Sequence, residues 1–80
     1  MDYYLGQILL LPYSFAPVYT ANCDGAILTI SGNEALFSLL GANYGGNGHT
    51  TFGLPDLRGA EPLPGMRYCI VTRGMYPQRP

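Results

Sequence analysis

Eighty residues allow a single domain with a modest core. Hydrophobic residues make up 48% of the chain and charged residues only 11%, with no lysine, against about 25% charged in ordinary soluble domains. A net charge of −1 without any basic cluster argues against nucleic-acid binding, and the longest apolar run, Ile8 to Leu11, is too short to cross a bilayer.

From Tyr4 to Leu11 the chain reads as a β-prone or fully buried segment that Pro12 closes. Tyr13 to Pro17 reads as an extended connector, because a residue before proline avoids the helical region. Val18 to Cys23 alternates loosely and predicts a short strand. Asp24-Gly25 is a strong turn signal, so Ala26 to Ile30 is expected to return as the second strand of a hairpin. Ser31 and Glu34 have capping-box spacing. They introduce a helix near residues 33–40 whose apolar positions are Ala35, Leu36, Leu39 and Leu40, with Phe37 added, and Gly41 ends it. Two to three turns cannot stand alone, so this helix must pack on the hairpin. Asn43 to His49 is a glycine-rich loop, Thr50-Thr51-Phe52 is β-prone, and Leu54 to Gly59 is a rigid turn segment. Pro62, Pro64 and Gly65 prolong irregular chain, Met66 to Arg73 is the last strand, and Met75 to Pro80 is an extended tail. The fold class expected is α+β, mostly β, in one domain.

Few residues suggest chemistry. His49 is the one histidine, placed beside Thr50 and Thr51 in the glycine-rich loop. It reads as a solvated or interface residue before it reads as a base. Asp24, Glu34, Asp56 and Glu61 each have a plain role at a turn, a cap or in solvent, so no carboxylate pair for acid–base work is expected. Gly45-Gly46-Asn47-Gly48 lacks the lysine that a phosphate loop needs. Cys23 and Cys69 read as buried free thiols, with a disulfide between them as the alternative. Without a CxxC pair or a second histidine, no metal or other cofactor is expected. Asp56 and Arg58, two apart, project to one side and read as an ion pair or as an arginine free to reach a neighbour. Asn47, His49, Tyr44 and Arg58 are the candidate ligand-binding residues. Seven tyrosines suit contact surfaces, offering large area with few torsions. So few charges cannot cover a small monomer, and a homo-oligomer is therefore expected. The opening Met1-Asp2-Tyr3-Tyr4 is acidic, unlike a signal peptide.

Several strings together resemble the phage tail collar domain family. They are Tyr4-Leu5-Gly6-Gln7-Ile8, Phe15-Ala16-Pro17, Cys23-Asp24-Gly25 and Ile30 to Gly41. The most specific is Tyr44-Gly45-Gly46-Asn47-Gly48-His49-Thr50-Thr51-Phe52-Gly53-Leu54-Pro55-Asp56-Leu57-Arg58-Gly59. With Tyr68-Cys69-Ile70-Val71, Gly74 and Tyr76-Pro77 as a closing strand, the resemblance runs over about residues 3 to 79. Members occur in short tail fibres and tail-tip proteins of phages and in bacterial microcystin-dependent proteins. The resemblance implies a small collar-like fold of short strands and hairpins, trimer formation, host-surface attachment and no catalysis. It also implies a virion or tail-like particle as the location, with the bacterial cytoplasm as the alternative. Other tail or fibre proteins are the implied further partners, and a lectin-like protein binding a surface glycan is the alternative function. Longer members carry a glycine-rich insertion before the closing strand, and in some fibres closely spaced histidines there hold a metal on the trimer axis. Here only Ala60 to Arg67 fills that interval, without a histidine. The Gly-Trp pair that often precedes Cys-Asp-Gly is replaced by Tyr19-Thr20.

Overall fold

A computed structural model describes residues 3–78. Five strands and one helix follow in the order β1 (Ile8–Leu11), β2 (Thr20–Asn22), β3 (Ile27–Thr29), α1 (Glu34–Leu40), β4 (Thr51–Gly53) and β5 (Arg67–Val71). The protein is thus α+β and mostly β. Its strands form two antiparallel sheets, one ordered β1-β5-β2 and the other β3-β4.

β5 is the centre of the larger sheet, and its Cys69, Ile70 and Val71 are fully buried. Ile8 faces Ile70 across the pair with β1, and Asn22 faces Cys69 across the pair with β2. Alternation along these strands gives the sheet two distinct faces. One face carries Ile70, Cys23 and Tyr68 into a core shared with Leu5, Leu36, Phe52 and Leu54. The other carries Arg67, Cys69 and Val71. The predicted strands near both ends are present, trimmed to the residues that pair.

The hairpin expected at Asp24-Gly25 does not form. β2 pairs with β5 and β3 pairs with β4, so the two predicted hairpin strands never meet. Cys23 donates its N–H to Tyr68 O (3.1 Å), while its own carbonyl accepts from Leu57 N (2.9 Å). One residue later Asp24 bridges Asp56, and Ala26 O accepts from Leu54 N (2.9 Å). The chain therefore passes from one sheet to the other at Cys23–Asp24, as a strand does at the corner of a packed two-sheet structure. Gly25 at φ +78 bends the backbone there, with Asp24 Oδ1 accepting from Ala26 N (3.1 Å). A glycine signals a change of direction but does not name the next partner.

The helix starts at Glu34, and the capping box is absent. Asn33 N donates to Ile30 O (2.8 Å), closing a tight turn that uses Ser31 and Gly32. Gly32 stands at φ +85, the value such a turn requires at its third position. Ser31 is consumed by that turn, and the N-cap is Asn33, without a side-chain capping bond. At the far end Gly41 N donates to Phe37 O (2.7 Å). Leu36 is the buried helix residue, Phe37 and Leu40 are half-buried, and Ala35 and Leu39 are exposed, so the apolar face is narrower than the spacing suggests. Phe37 meets Phe52 with ring centroids 5.5 Å apart, which seats the helix on β4.

Both cysteines are free and buried. Asn22 and Cys69 are direct partners, so Cys23 lies on the opposite face of the sheet from Cys69. Burial, then the nearby Cys69 and Asp24, pushes the Cys23 thiol from 9.0 up to about 11. Burial also raises Cys69. Neither is a nucleophile at neutral pH.

Candidate functional site

The glycine-rich loop is closed by its own hydrogen bonds. Asn47 Oδ1 accepts the N–H groups of His49 (2.7 Å), Thr50 (2.8 Å) and Thr51 (3.1 Å). Its amide nitrogen donates to Thr50 Oγ1 (3.0 Å), and its backbone N–H donates to Thr51 Oγ1 (3.0 Å). An amide oxygen has two lone pairs, so three donors leave no acceptor capacity for a ligand. Asn47 thus shapes the loop, while His49 and Tyr44 project from it exposed. Gly45 O accepts from Gly53 N (2.9 Å) and Thr51 O accepts from Gly48 N (2.9 Å), which presses the loop backbone onto β4.

Arg58 stands elsewhere. Its Nε and one terminal nitrogen grip Asp56 Oδ1 and Oδ2 at 2.9 and 2.8 Å. This two-pronged exposed pair holds the Asp56 carboxyl down at about 2, below the ordinary 3.8. Arg58 also lines a cleft of about 310 Å³, and none of Tyr44, Asn47 and His49 reaches it.

That cleft lies where the ends of β2 and β5 meet the turn that follows Asp56. Its polar lining is Asn22, Asp24, Arg58, Glu61 and Arg67, with Tyr68 and Leu57 as apolar wall. Arg67 Nε donates to Tyr13 O (2.8 Å) and its NH1 to Asn22 Oδ1 (2.9 Å), so a guanidinium is fixed at the rim. Glu61 receives the Gly59 N–H at 3.0 Å on both carboxylate oxygens. Asn22, Glu61 and Arg67 were not among the sequence candidates. The one available signal was that charge is scarce in this chain, so any gathering of it carries information. Among the described residues, no group of three or more His, Cys, Asp or Glu side chains is placed to hold a metal ion.

The Arg67 contact also anchors a strap, residues 12–19. Pro17 O accepts from both the N–H (3.0 Å) and the hydroxyl (2.7 Å) of Thr20. Tyr19 sits at φ +65, alone among the described non-glycine residues, and its carbonyl accepts from Thr72 N (2.8 Å). On this firmly held backbone Phe15 is 62% and Val18 72% exposed, flanked by exposed Tyr13 and Tyr19. Tyr13 and Phe15 stack at 5.6 Å. A second exposed group comprises Tyr3, Tyr4, Met75 and Tyr76, joined by the Tyr4–Met75 bridge. Tyr76 is pinned by a 2.6 Å hydrogen bond between its hydroxyl and Ser38 Oγ.

The phage tail collar domain model matches residues 6–62. The chain belongs to the phage tail collar domain family. The match takes in β1 to β4, the helix, the glycine-rich loop and the Asp56–Arg58 turn. It stops short of β5, so the closing strand that the sequence resemblance included lies outside it. No curated protein and no solved structure matches the chain. Collar domains are structural modules of phage tail fibres, a virion-associated setting. Among the described residues no helix is long and apolar enough to cross a membrane.

Proposed function

We propose that this collar domain is a self-associating, non-enzymatic module of a phage tail or phage-derived particle, working as a homotrimer beside other fibre proteins and serving attachment to the host surface. The observation that carries this reading is the strap, which presents Tyr13, Phe15, Val18 and Tyr19 to solvent on a backbone that hydrogen bonds hold in place. A monomer has no use for a rigid, exposed aromatic ridge, whereas an interface gains from anchors ordered before contact. No charged residue occurs between Tyr3 and Cys23, so the surface suits an equally uncharged partner, which a second copy of the chain supplies.

Four partly exposed strap side chains are too small a face to supply alone the ~1,000 Å² expected of a stable contact. The Tyr3, Tyr4, Met75 and Tyr76 group supplies the remainder if the strap of one copy meets that group on the next. Contact between two different patches is heterologous, and a rotation of a third of a turn between copies closes it into a ring of three.

Light scattering across a range of concentrations tests this. A mass near three times 8.7 kDa is expected. Phe15→Ser with Val18→Ser should lower that mass without loss of β-sheet signal, since both side chains are exposed in the single chain. A mass of 8.7 kDa at every concentration sinks the proposal.

A further inference from the structure

The cleft beside Arg67 concentrates what the rest of the chain lacks. The protein has nine charged side chains, four basic and five acidic. Asp24, Arg58, Glu61 and Arg67 all line this cleft, and a fifth, Asp56, is bound to Arg58 at its edge. Structural pairing does not explain the gathering. Arg58 is paired with Asp56, but Glu61 receives only a backbone N–H, and Asp24 uses one oxygen on Ala26 N. Arg67 spends its Nε and NH1 on Tyr13 O and Asn22. Asp24, Glu61 and both arginines thus keep unspent hydrogen-bonding capacity while lining one cleft.

The balance of these groups selects the ligand class. An anion would meet Arg58 already neutralised by Asp56, and it would meet the carboxylates of Asp24 and Glu61. A cation would meet two guanidinium groups. A neutral molecule dense in hydroxyls suffers neither penalty, because each hydroxyl both donates to a carboxylate and accepts from a guanidinium. The wall of Tyr68 and Leu57 gives a C–H face something apolar to rest on. A volume of about 310 Å³ is at the small end of ligand clefts and fits one ring with its hydroxyls.

We infer that the cleft between the β2–β5 end and the Leu57–Glu61 turn binds a sugar unit, with Glu61 and Asp24 accepting from ligand hydroxyls and Arg58 and Arg67 donating to them. This deepens the attachment part of the proposed function and is independent of self-association. It also moves the contact away from Asn47, whose amide oxygen is spent on its own loop.

The test is a titration of the ¹⁵N-labelled full chain followed by amide shifts. The probes are glucose, galactose and N-acetylglucosamine, then maltotriose and chitotriose, with inorganic phosphate as the charged comparison. Saturable shifts at Asn22, Asp24, Arg58 and Glu61 are expected with at least one sugar. Tighter binding of a trisaccharide identifies a glycan chain as the source, and equal binding identifies the single unit. Glu61→Ala should weaken binding at least fivefold and Glu61→Gln by less, with the spectrum elsewhere unchanged. Absence of saturable shifts, shifts confined to residues 43–51, the same shifts from phosphate at lower concentration, or full affinity in Glu61→Ala would each overturn the inference. A trimer that binds no sugar defeats this inference alone, and a monomer that binds one defeats self-association alone.

Discussion

Three glycine-to-alanine changes separate two causes that usually act together. Gly46 stands at φ +82, and a Cβ there would lie 2.6 Å from both Phe52 N and Thr51 O. Gly53 has no left-handed φ, but its Cβ would lie 2.8 Å from the Tyr44 carbonyl carbon. Gly32 stands at φ +85 with nothing within 4 Å. Gly32→Ala therefore registers backbone strain alone, about 1 kcal/mol, partly offset by a less flexible unfolded chain. Gly53→Ala registers contact alone. The obstructing atoms are backbone, so no rotamer change relieves it and the loop must lift from β4, at about 2–3 kcal/mol. Gly46→Ala combines both and should cost about 3–4 kcal/mol. A domain of this size holds roughly 4–12 kcal/mol in total, so that variant should lose at least about a quarter of its stability. Urea denaturation followed by circular dichroism gives the three values. If Gly46→Ala costs no more than Gly32→Ala, the loop does not rest on β4 as described, and the account of Asn47 as its organiser fails with it.

Other outcomes follow from the remaining contacts. Arg67→Ala removes one hydrogen bond that anchors the strap at Tyr13 O and a second to Asn22, and should cost about 1–3 kcal/mol, with faster amide exchange from Ser14 to Tyr19; unchanged exchange would contradict the anchoring role. Asp56 is more acidic folded than unfolded, so its pair with Arg58 favours the fold above pH 3.8, and that gain is lost as pH falls toward 2. An NMR titration should find its carboxyl near 2, and Arg58→Gln should return it toward 3.8. Cys23 is a weaker acid folded than unfolded, so stability should hold below pH 9 and decline as pH rises from 9 toward 11. Both thiols should resist alkylation at pH 8 until the chain is unfolded, and a Cys23–Cys69 disulfide formed by mild oxidation of the native protein would refute their placement on opposite sheet faces.

Much of the site geometry was unreadable from sequence for an identifiable reason. Arg58 was found because Asp56 is two residues away, and a pair that close in the chain declares itself. Glu61 and Arg67 share a cleft with Asp24 only because β2 lies beside β5 and the chain then turns its next segment against Leu54–Leu57. Nothing in any one of those segments encodes that arrangement. The tyrosines were recognised as contact residues by type, but their division into a strap and a terminal group follows from Arg67, Thr20 and Thr72, whose bonds fix where the backbone runs.

Local chemistry alone set where this chain extends, coils and turns: the apolar run ending at Pro12, the helix stopping at Gly41, and glycines at the positive-φ positions of the described residues other than Tyr19. Membership of the collar family was also legible, because the string from Tyr44 to Gly59 carries loop, strand and turn in one stretch. Tertiary structure alone decided which strands pair, why Ser31 is a turn residue and not a cap, and which charges share a cleft. Backbone preference acts over a few residues, whereas pairing is decided by which distant segments bury Ile70, Phe52 and Leu36 together, and that is a property of the whole chain.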